Sequence, residues 1–478
     1  MTTPRAFFVA GIPALGRQRY SVTHPPDGSS VADVSIPDAA QLELAVAAAH
    51  EVQHPLAELP ALVRARALDQ IGAQLARRRT EVAELITSEN GKPIQWARAE
   101  VQRTITTFRV AAEEARRFSG DLMRLDTEEG SEGRMAIVRR FPRGPVLAVA
   151  PFNFPLNLIA HKVAPAIAVG TPVIIKPAPA TPLSALLLGE LLAETDLPTG
   201  SWSVLTATNE QMPQLVRDPR LPVISFTGSA EVGWAIRDSV PRKHVTLELG
   251  GNAAAIVCAD YSSQADLDHA ADRIAQFAMY QAGQSCISVQ QVLAHSSIYD
   301  ELSVRVTAAV DRQAVDDVWD ARTAVGPLIN EAAAERVEAW VGEAKSLGAR
   351  VLTGGHRQGS TYEPTVLVNV SDTARIAEEE VFGPVVNIFS FDVVQEAFDR
   401  VNASRYGLQT GVFTHDLRVA FAAHRRLQVG GVIVGDVPSY RADQMPYGGV
   451  KDSGTGREGV AAAMTDYTYE RVLVLNAL

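Results

Sequence analysis

The chain has 478 residues, too many for one hydrophobic core, so two or three domains are expected. Its 46% hydrophobic and 21% charged residues are typical of a globular protein. The formal net charge of −11 argues against a nucleic-acid partner, which needs a concentrated basic face.

Neither a secretory signal nor a membrane helix is predicted. The apolar patch in residues 1–16 is interrupted by Pro13, which is a poor match to a signal peptide. The longest uncharged apolar stretch, 144–160, contains three prolines and two asparagines, a density that a membrane helix would not tolerate. Two cysteines cannot build a disulfide framework, and no cysteine and histidine cluster suggests a metal site, so we expect a cytoplasmic protein without a metal.

In chain order, apolar residues recur at helical spacing through 38–118, and 135–141 alternates like an extended arm. Short β-branched runs separated by helices follow, which predicts a parallel sheet wrapped by helices. A second stretch of this kind covers about 263–450 and predicts a second α/β domain. The run 467–475 reads as a strand that pairs with the 134–141 arm. The predicted strands before it are 146–149, 172–175, 223–226, 255–257, 289–293, 350–352 and 432–434.

Polar residues follow the predicted strands of the first sheet. They are Asn153, Lys176, the pair Gly228 and Ser229, and Glu248. Ligands bind beyond the carboxyl ends of parallel strands, so these side chains are expected to meet at one edge. Each has a simpler explanation: a turn cap, a surface lysine, a helix N-cap or a structural ion pair. Their coincidence at strand ends favours a functional site.

The two cysteines have different surroundings. Cys258 ends an apolar run, where a cysteine acts as a small hydrophobic residue. Cys286 lies in a small polar loop, where a thiol can become a reactive thiolate. Cys286 is therefore the candidate nucleophile.

Seven motifs, in order, resemble those of the aldehyde dehydrogenase superfamily over nearly the whole chain. The lactaldehyde and phosphonoacetaldehyde branch is the most similar in character. The motifs are APFNFP at 150–155, KP at 176–177, FTGSAEVG at 226–233, LELGG at 247–251, GQSC at 283–286, EEVFGPV at 379–385 and PYGGVKDSG at 446–454.

The resemblance implies a covalent mechanism. Cys286 would attack the aldehyde carbon, and the Asn153 amide would stabilise the resulting oxyanion. Hydride transfer would leave a thioester, which water activated by Glu248 would hydrolyse. Lys162 and Glu458 match positions that relay protons or orient the glutamate, although either could instead belong to a structural ion pair.

The resemblance also implies NAD or NADP as cofactor. Lys176 would bind the adenosine ribose, Ser229 the pyrophosphate and Glu380 the nicotinamide ribose, with Phe382 packed beside the nicotinamide. The remaining candidate cofactor contacts are Ala150, Pro151, Phe152 and Gly228.

The implied fold is α/β, with a Rossmann-type cofactor domain, an α/β catalytic domain and a small β oligomerisation arm. The boundaries we expect are 1–122 and 143–250 for the cofactor domain and 251–450 for the catalytic domain. The arm would comprise 123–142 and 451–478. A homodimer or homotetramer would assemble through this arm, which would otherwise expose unpaired strand edges.

One departure from the family pattern concerns the cofactor. NAD-preferring relatives usually carry a glutamate three residues after the lysine, where this chain has Pro179. Without that carboxylate a 2′-phosphate meets no like charge. The hypothesis is therefore use of both cofactors or a preference for NADP.

The substrate is expected to be a small aldehyde. The residues expected to line its tunnel lie close to the nucleophile or to the motifs. They are Arg103, Phe108, Leu158, His161, Ser285, Ile287 and Tyr447. Arg103 and His161 would face an anionic or hydroxylated tail, although Arg103 could instead pair with Glu100 on one helix. Two other functions compete: a CoA-acylating dehydrogenase, against which Glu248 argues, and a retired NAD(P)-binding or structural protein.

Overall fold

The computed structural model describes residues 4–476. Eight strands form a first sheet, and its five central strands run parallel. In spatial order the strands are Ile12–Ala14, Phe7–Val9, Trp202–Val204, Val173–Lys176, Val146–Val149, Val223–Thr227, His244–Glu248 and Gly454–Thr455.

The parallel part of this sheet has the strand order 3-2-1-4-5 of a Rossmann half. The order reverses between Val146–Val149 and Val223–Thr227, which are hydrogen-bonded neighbours. Connections leave these two strands toward opposite sides, which opens a crevice at their carboxyl ends. The motifs at 150–155 and 227–233 lie at this crevice.

A second sheet of seven strands forms the other α/β unit, with all neighbours parallel except the first pair. Its strands come from the second predicted α/β stretch and from the strand Ala254–Val257 just before it. In spatial order its strands are Arg350–Thr353, Thr365–Val368, Val385–Phe391, Gln291–His295, Ala254–Val257, Gln409–Phe413 and Gly431–Val434.

A three-stranded sheet forms the arm. Thr468–Leu475 pairs antiparallel with Met135–Pro142, which in turn pairs with Asp121–Arg124. This confirms the predicted pairing of the C-terminal strand with the arm. Residues 451–478 do not all belong to it, because the strand Gly454–Thr455 completes the first sheet.

Fifteen α-helices are found in residues 4–476, and the stretch predicted as helical at 38–118 holds the first four. Two separate large apolar cores lie on the two main sheets. No helix in residues 4–476 is long and apolar enough to cross a membrane. The α-helices are Ala39–Glu58, Ala61–Arg77, Arg79–Asn90, Ile94–Arg117, Asn157–Val169, Leu183–Ala193, Met212–Arg217, Ala230–Ser239, Gln264–Met279, Tyr299–Asp311, Glu331–Ser346, Arg375–Glu378, Val394–Ala403, Leu417–Arg426 and Val460–Asp466.

Smaller elements complete the chain. Three two-stranded pairs are Gln18–Thr23 with Ser30–Ile36, Arg357–Gln358 with Thr361–Tyr362, and Tyr406–Gly407 with Val450–Lys451. Two 3-10 turns are Asn209–Gln211 and Tyr280–Gly283, and the second leads directly into the loop of Cys286.

Candidate active site

A cavity of about 530 Å³ opens at the carboxyl edge of the first sheet, where the second unit covers it. It contains most of the residues that the sequence singled out, although they come from segments far apart in the chain. The predicted residues that line it are Arg103, Pro151, Phe152, Asn153, Leu158, Gly228, Ser229, Glu248, Ser285, Cys286, Ile287, Glu380, Phe382 and Tyr447.

The backbone before Cys286 is held in an uncommon conformation. Gln281, Ala282 and Gly283 are consecutive residues with φ of 55°, 53° and 70°. Left-handed backbone is costly for residues with a Cβ, so surrounding contacts must impose it. At Gly283 a Cβ would collide with the Gly383 backbone, so only glycine fits there. This turn presents Cys286 to the cavity.

The Cys286 thiol makes one side-chain hydrogen bond in residues 4–476. Its Sγ lies 2.9 Å from the Tyr447 hydroxyl oxygen. Burial raises the pKa of the thiol to about 12, and the Tyr447 bond opposes that rise. The thiol is therefore mostly protonated at neutral pH and needs help to ionise.

Asn153 lies between the nucleophile and the first sheet. Its side chain is buried, and its Nδ2 donates to the Gln284 carbonyl at 2.9 Å. That bond uses one amide hydrogen and leaves the second free at the cavity wall. An amide fixed in this way can serve as an oxyanion donor, since it needs no reorganisation during the reaction.

The Glu248 carboxylate is buried, and neither oxygen has a hydrogen-bond partner in the described part of the chain. Burial raises its pKa well above the usual value, and the charge of Glu458 adds to this rise. A Cβ at Gly448 would lie 2.7 Å from Oε1 of Glu248, so glycine leaves the space that the carboxylate occupies. A buried carboxylate with a raised pKa is suited to general-base chemistry near neutral pH.

Lys162 and Glu458 form an ion pair behind Glu248. The Lys162 Nζ donates to Glu458 Oε1 at 2.9 Å and to the Thr227 hydroxyl at 2.7 Å. Burial disfavours the charged form of Glu458, but Lys162 and Arg441 outweigh burial and lower its pKa. Lys162 and Glu458 therefore do form a structural ion pair. The charges of the same two residues also act on the pKa of Glu248.

The residues expected at the adenosine side lie in a neighbouring cavity of about 580 Å³, which Ala150, Lys176 and Pro179 line. Gly228 and Ser229 line both cavities. The Ser229 side chain caps the helix Ala230–Ser239, which agrees with the simpler explanation that Ser229 is a helix N-cap. The start of this helix faces the cavity. The arrangement joins a lysine, a helix N-terminus and a reactive cysteine along one path.

Glu380 reaches the nucleophile from the second unit. It accepts a hydrogen bond from the Gly251 backbone at 3.1 Å, and burial raises its pKa to about 7. A Cβ at Gly250 would collide with this carboxylate, so this glycine of the LELGG motif makes room for Glu380, while Gly251 makes room for the backbone carbonyl of Cys286. The Phe382 ring packs edge-on against Phe152 at a centroid distance of 5.9 Å.

Two expected tunnel residues do not reach the cavity. Phe108 is fully buried in the first core, on the apolar stripe of the helix Ile94–Arg117. His161 is also fully buried, and its Nε2 donates to Asp443 at 3.0 Å. Burial lowers the pKa of His161 to about 4, so the ring is neutral. Helix periodicity directs Phe108 into the interior, whereas the helix of His161, Asn157–Val169, is buried on all its faces.

Arg103 does line the cavity, but its partner was not foreseen. Its Nη2 donates to Oδ1 of Asp443 at 2.8 Å, from a loop 340 positions later. The alternative pairing with Glu100 is wrong, because Glu100 forms a fully buried ion pair with Lys92. Arg103 is thus fixed with its guanidinium at the cavity.

Sequence reasoning missed Arg441. It lines the cavity, donates to Oε2 of Glu458 at 3.2 Å and lies over the Tyr447 ring, with Cζ 3.9 Å from the centroid. The only signal was a lone arginine six residues before Tyr447 in the PYGG motif, which could equally be a surface loop residue. Arg103, Arg441 and Arg273, which Asp436 holds, thus give a mostly apolar cavity three guanidinium groups.

Comparison with known proteins agrees with this geometry. The model of the aldehyde dehydrogenase family matches residues 13–473. A 3-sulfolactaldehyde dehydrogenase of Priestia aryabhattai is 44% identical over 84% of this chain and 84% of its own. The crystal structure of aldehyde dehydrogenase 21 from Physcomitrella patens, in complex with the reaction product succinate, is 43% identical. It superimposes with a TM-score of 0.97 over 100% of this chain and 99% of its own.

A third similar structure is an NADP-dependent glyceraldehyde-3-phosphate dehydrogenase from Bacillus halodurans complexed with NADP. It is 33% identical, with a TM-score of 0.96 over 100% of both chains. The fold and the family match define an oxidoreductase. The chain belongs to the aldehyde dehydrogenase family, which oxidises aldehydes with NAD or NADP. The fold class and the reaction class are confirmed, and the comparisons favour neither competing function.

Proposed function

We propose that this protein oxidises a small aldehyde that carries an anionic group to the carboxylic acid. The observation that carries the proposal is that Arg103 and Arg441, two of the three arginines that line the cavity of Cys286, place guanidinium groups there. Guanidinium groups bind carboxylate, sulfonate or phosphate through paired hydrogen bonds. The names of the three relatives agree, because each denotes an anionic substrate or product.

In the proposed mechanism, the Cys286 sulfur attacks the aldehyde carbon and the C=O π bond breaks. The oxygen then carries the negative charge, and the second hydrogen of the Asn153 amide stabilises it. After oxidation, the acyl group is held as a thioester on Cys286. Glu248 removes a proton from water, which attacks that thioester and releases the acid.

The residues of the two cavities fit NAD or NADP. When bound, this cofactor accepts the hydride from the tetrahedral carbon. Lys176 and the start of the helix Ala230–Ser239 would hold the ribose and pyrophosphate, because free backbone N–H groups and the helix dipole favour phosphate. Glu380 would accept hydrogen bonds from the nicotinamide ribose.

We further propose that NADP is accepted as well as NAD. Lys176 and Pro179 both line the adenosine-side cavity, and position 179 carries no carboxylate that would repel a 2′-phosphate. The comparison of kcat/KM for the two cofactors tests this. A preference for NAD above about a hundredfold, roughly 3 kcal/mol, would contradict the proposal that NADP is accepted.

The substrate class is tested with Arg103→Ala and Arg103→Lys. Alanine should raise KM for a short anionic aldehyde by at least about tenfold, because one charge-assisted contact is lost. KM for a neutral aliphatic aldehyde of the same length should hardly change. Lysine keeps the charge and should recover part of the loss. Equal effects of alanine on both aldehydes would refute the anionic subsite.

Assembly through the arm is also proposed. Apolar side chains on its strands are more than half exposed in the single chain, as at Leu122, Val472 and Leu473. Such a patch is typical of an interface. We propose a homodimer or homotetramer in a cytoplasmic, reducing compartment, where Cys286 stays a free thiol.

A further inference from the structure

We propose that Tyr447 is a catalytic residue whose phenol donates a hydrogen bond to the Cys286 sulfur and stabilises the thiolate. Arg441 would be the positioning residue that fixes and polarises the phenol. The inference rests on the proposed function, because it assumes that Cys286 is the nucleophile. It replaces the expectation that Tyr447 is only a wall of the substrate tunnel.

The geometry of Tyr447 is fixed by the backbone beside it. Its N–H donates to the Glu458 carbonyl at 2.9 Å, and the Glu458 N–H donates back to the Tyr447 carbonyl at 2.7 Å. The hydroxyl then lies 2.9 Å from Sγ of Cys286. The tyrosine is buried, so the phenol is not free to turn toward bulk water. A hydrogen-bond donor is thus held against the reacting atom.

The charges around the sulfur explain why a donor is needed. Burial is the main obstacle to thiolate formation, and the carboxylates of Glu380 and Glu248 add to it. The groups that favour the thiolate are the Tyr447 hydroxyl and the Arg441 cation. Within residues 4–476, Tyr447 is the one side chain hydrogen-bonded to this sulfur.

Arg441 acts on the sulfur directly, through its charge, and also through Tyr447. Its guanidinium carbon lies 3.9 Å from the ring centroid, while its Nη2 is held by Glu458 at 3.2 Å. A cation over an aromatic ring attracts the π electrons, which makes the phenol O–H a stronger donor. It also opposes the rise that burial causes in the pKa of Tyr447.

The proposed step is the ionisation of the thiol before attack. The S–H bond breaks, its proton passes to water in the free enzyme, and the phenol keeps its own proton. Once the C–S bond forms, negative charge leaves the sulfur for the aldehyde oxygen, where Asn153 takes over. Tyr447 therefore stabilises the negative charge while it is on the sulfur, and Asn153 stabilises it once it is on the aldehyde oxygen.

The test measures the rate of iodoacetamide alkylation against pH, without substrate or cofactor, in the Cys258→Ala background. Tyr447→Phe should raise the thiol pKa by about one, because hydrogen bonds to charged groups shift ionisation at least about tenfold. At pH 7 the rate should fall by only about threefold, since a more basic thiolate is the stronger nucleophile. Arg441→Gln should raise the thiol pKa in the same direction.

The matched control is Tyr362→Phe. It removes another buried phenol hydroxyl, one without a hydrogen-bond partner in the described chain, and should leave the thiol pKa unchanged. An unchanged or lowered thiol pKa in folded Tyr447→Phe would overturn the proposal; lowering would mean that the phenol accepts from S–H. If Tyr447→Phe does not fold, replacement of Tyr447 by 3-fluorotyrosine decides instead: its more acidic phenol is the stronger donor and should lower the thiol pKa, and an unchanged or raised thiol pKa would overturn the proposal. A wild-type protein that oxidises no aldehyde would refute the proposed function instead.

Discussion

The Lys162 ammonium donates to Oε1 of Glu458 at 2.9 Å, and both side chains are almost completely buried behind Glu248. Of the two neighbouring glutamates, Glu458 therefore holds its charge easily, while Glu248 does so with difficulty. Environments that push two carboxyl groups apart in pKa identify the one that exchanges protons during catalysis. We propose that this group is Glu248.

Removal of Lys162 should affect both stability and pH dependence. Lys162→Met leaves Glu458 charged and buried, so we expect a loss of about 3 kcal/mol in the free energy of unfolding. It also removes a charge that lowers the pKa of Glu248, so the rise of kcat with pH should move to higher pH. Denaturant unfolding and the pH profile check these effects. An unmoved profile would contradict the electrostatic role of the pair.

Glu248→Gln should block hydrolysis of the thioester while leaving its formation possible. We expect one equivalent of reduced cofactor in a burst, followed by turnover slowed by about 10²–10⁴-fold. In the wild type, kcat should rise as pH passes upward through the raised pKa of Glu248, because only the ionised form is a base. Stopped-flow absorbance measures the burst. Undiminished steady-state turnover in the variant would exclude this assignment.

Cys286→Ala should lower kcat by about 10⁴-fold or more, since no covalent intermediate can form. Cys258→Ala is the matched control, because Cys258 is buried at the end of a strand in an apolar cluster. It should keep normal kinetics at a modest cost in stability. A steady-state assay with the same aldehyde and cofactor compares the two. Comparable activity in both variants would end the case for the Cys286 nucleophile.

Lys176 should give NADP a pH dependence that NAD lacks. Burial lowers the pKa of its amine to about 8, and the nearby Glu210 carboxylate opposes that change. Above pH 8 the amine loses its charge, so kcat/KM for NADP should fall more steeply than for NAD between pH 7 and 9. Lys176→Met should abolish the difference. Parallel profiles in the wild type would argue against a contact with the 2′-phosphate.

A charged residue on the arm should break the assembly. Leu473→Lys places a cation on the exposed apolar surface and should shift the protein toward monomer, because burial of an unpaired charge is costly. Light scattering with size-exclusion chromatography gives the mass. Val304→Lys is the control, since Val304 is also more than half exposed but lies on the helix Tyr299–Asp311, outside the arm. The arm is not the interface if Leu473→Lys keeps the wild-type mass.

Much of the fold could be predicted because its elements follow local rules. The alternation of β-branched runs and helices gave two parallel sheets, and the strand Val146–Val149 has the predicted bounds. The pairing of the C-terminal strand with the arm followed from the absence of another partner nearby. Helix periodicity also predicts that Phe108 is buried, because it continues the buried series Ala97, Val101 and Thr104. That residue should have been assigned to the core.

The sequence by itself determined the family and the gathering of Asn153 and Glu248 at one sheet edge, because strand polarity dictates where strand ends lie. Only the tertiary structure decided the neighbours of each group. Tyr447 meets Cys286 across 161 positions, and Asp443 meets Arg103 across 340. These partners come from one loop whose path depends on the packing of both units, which no local pattern encodes.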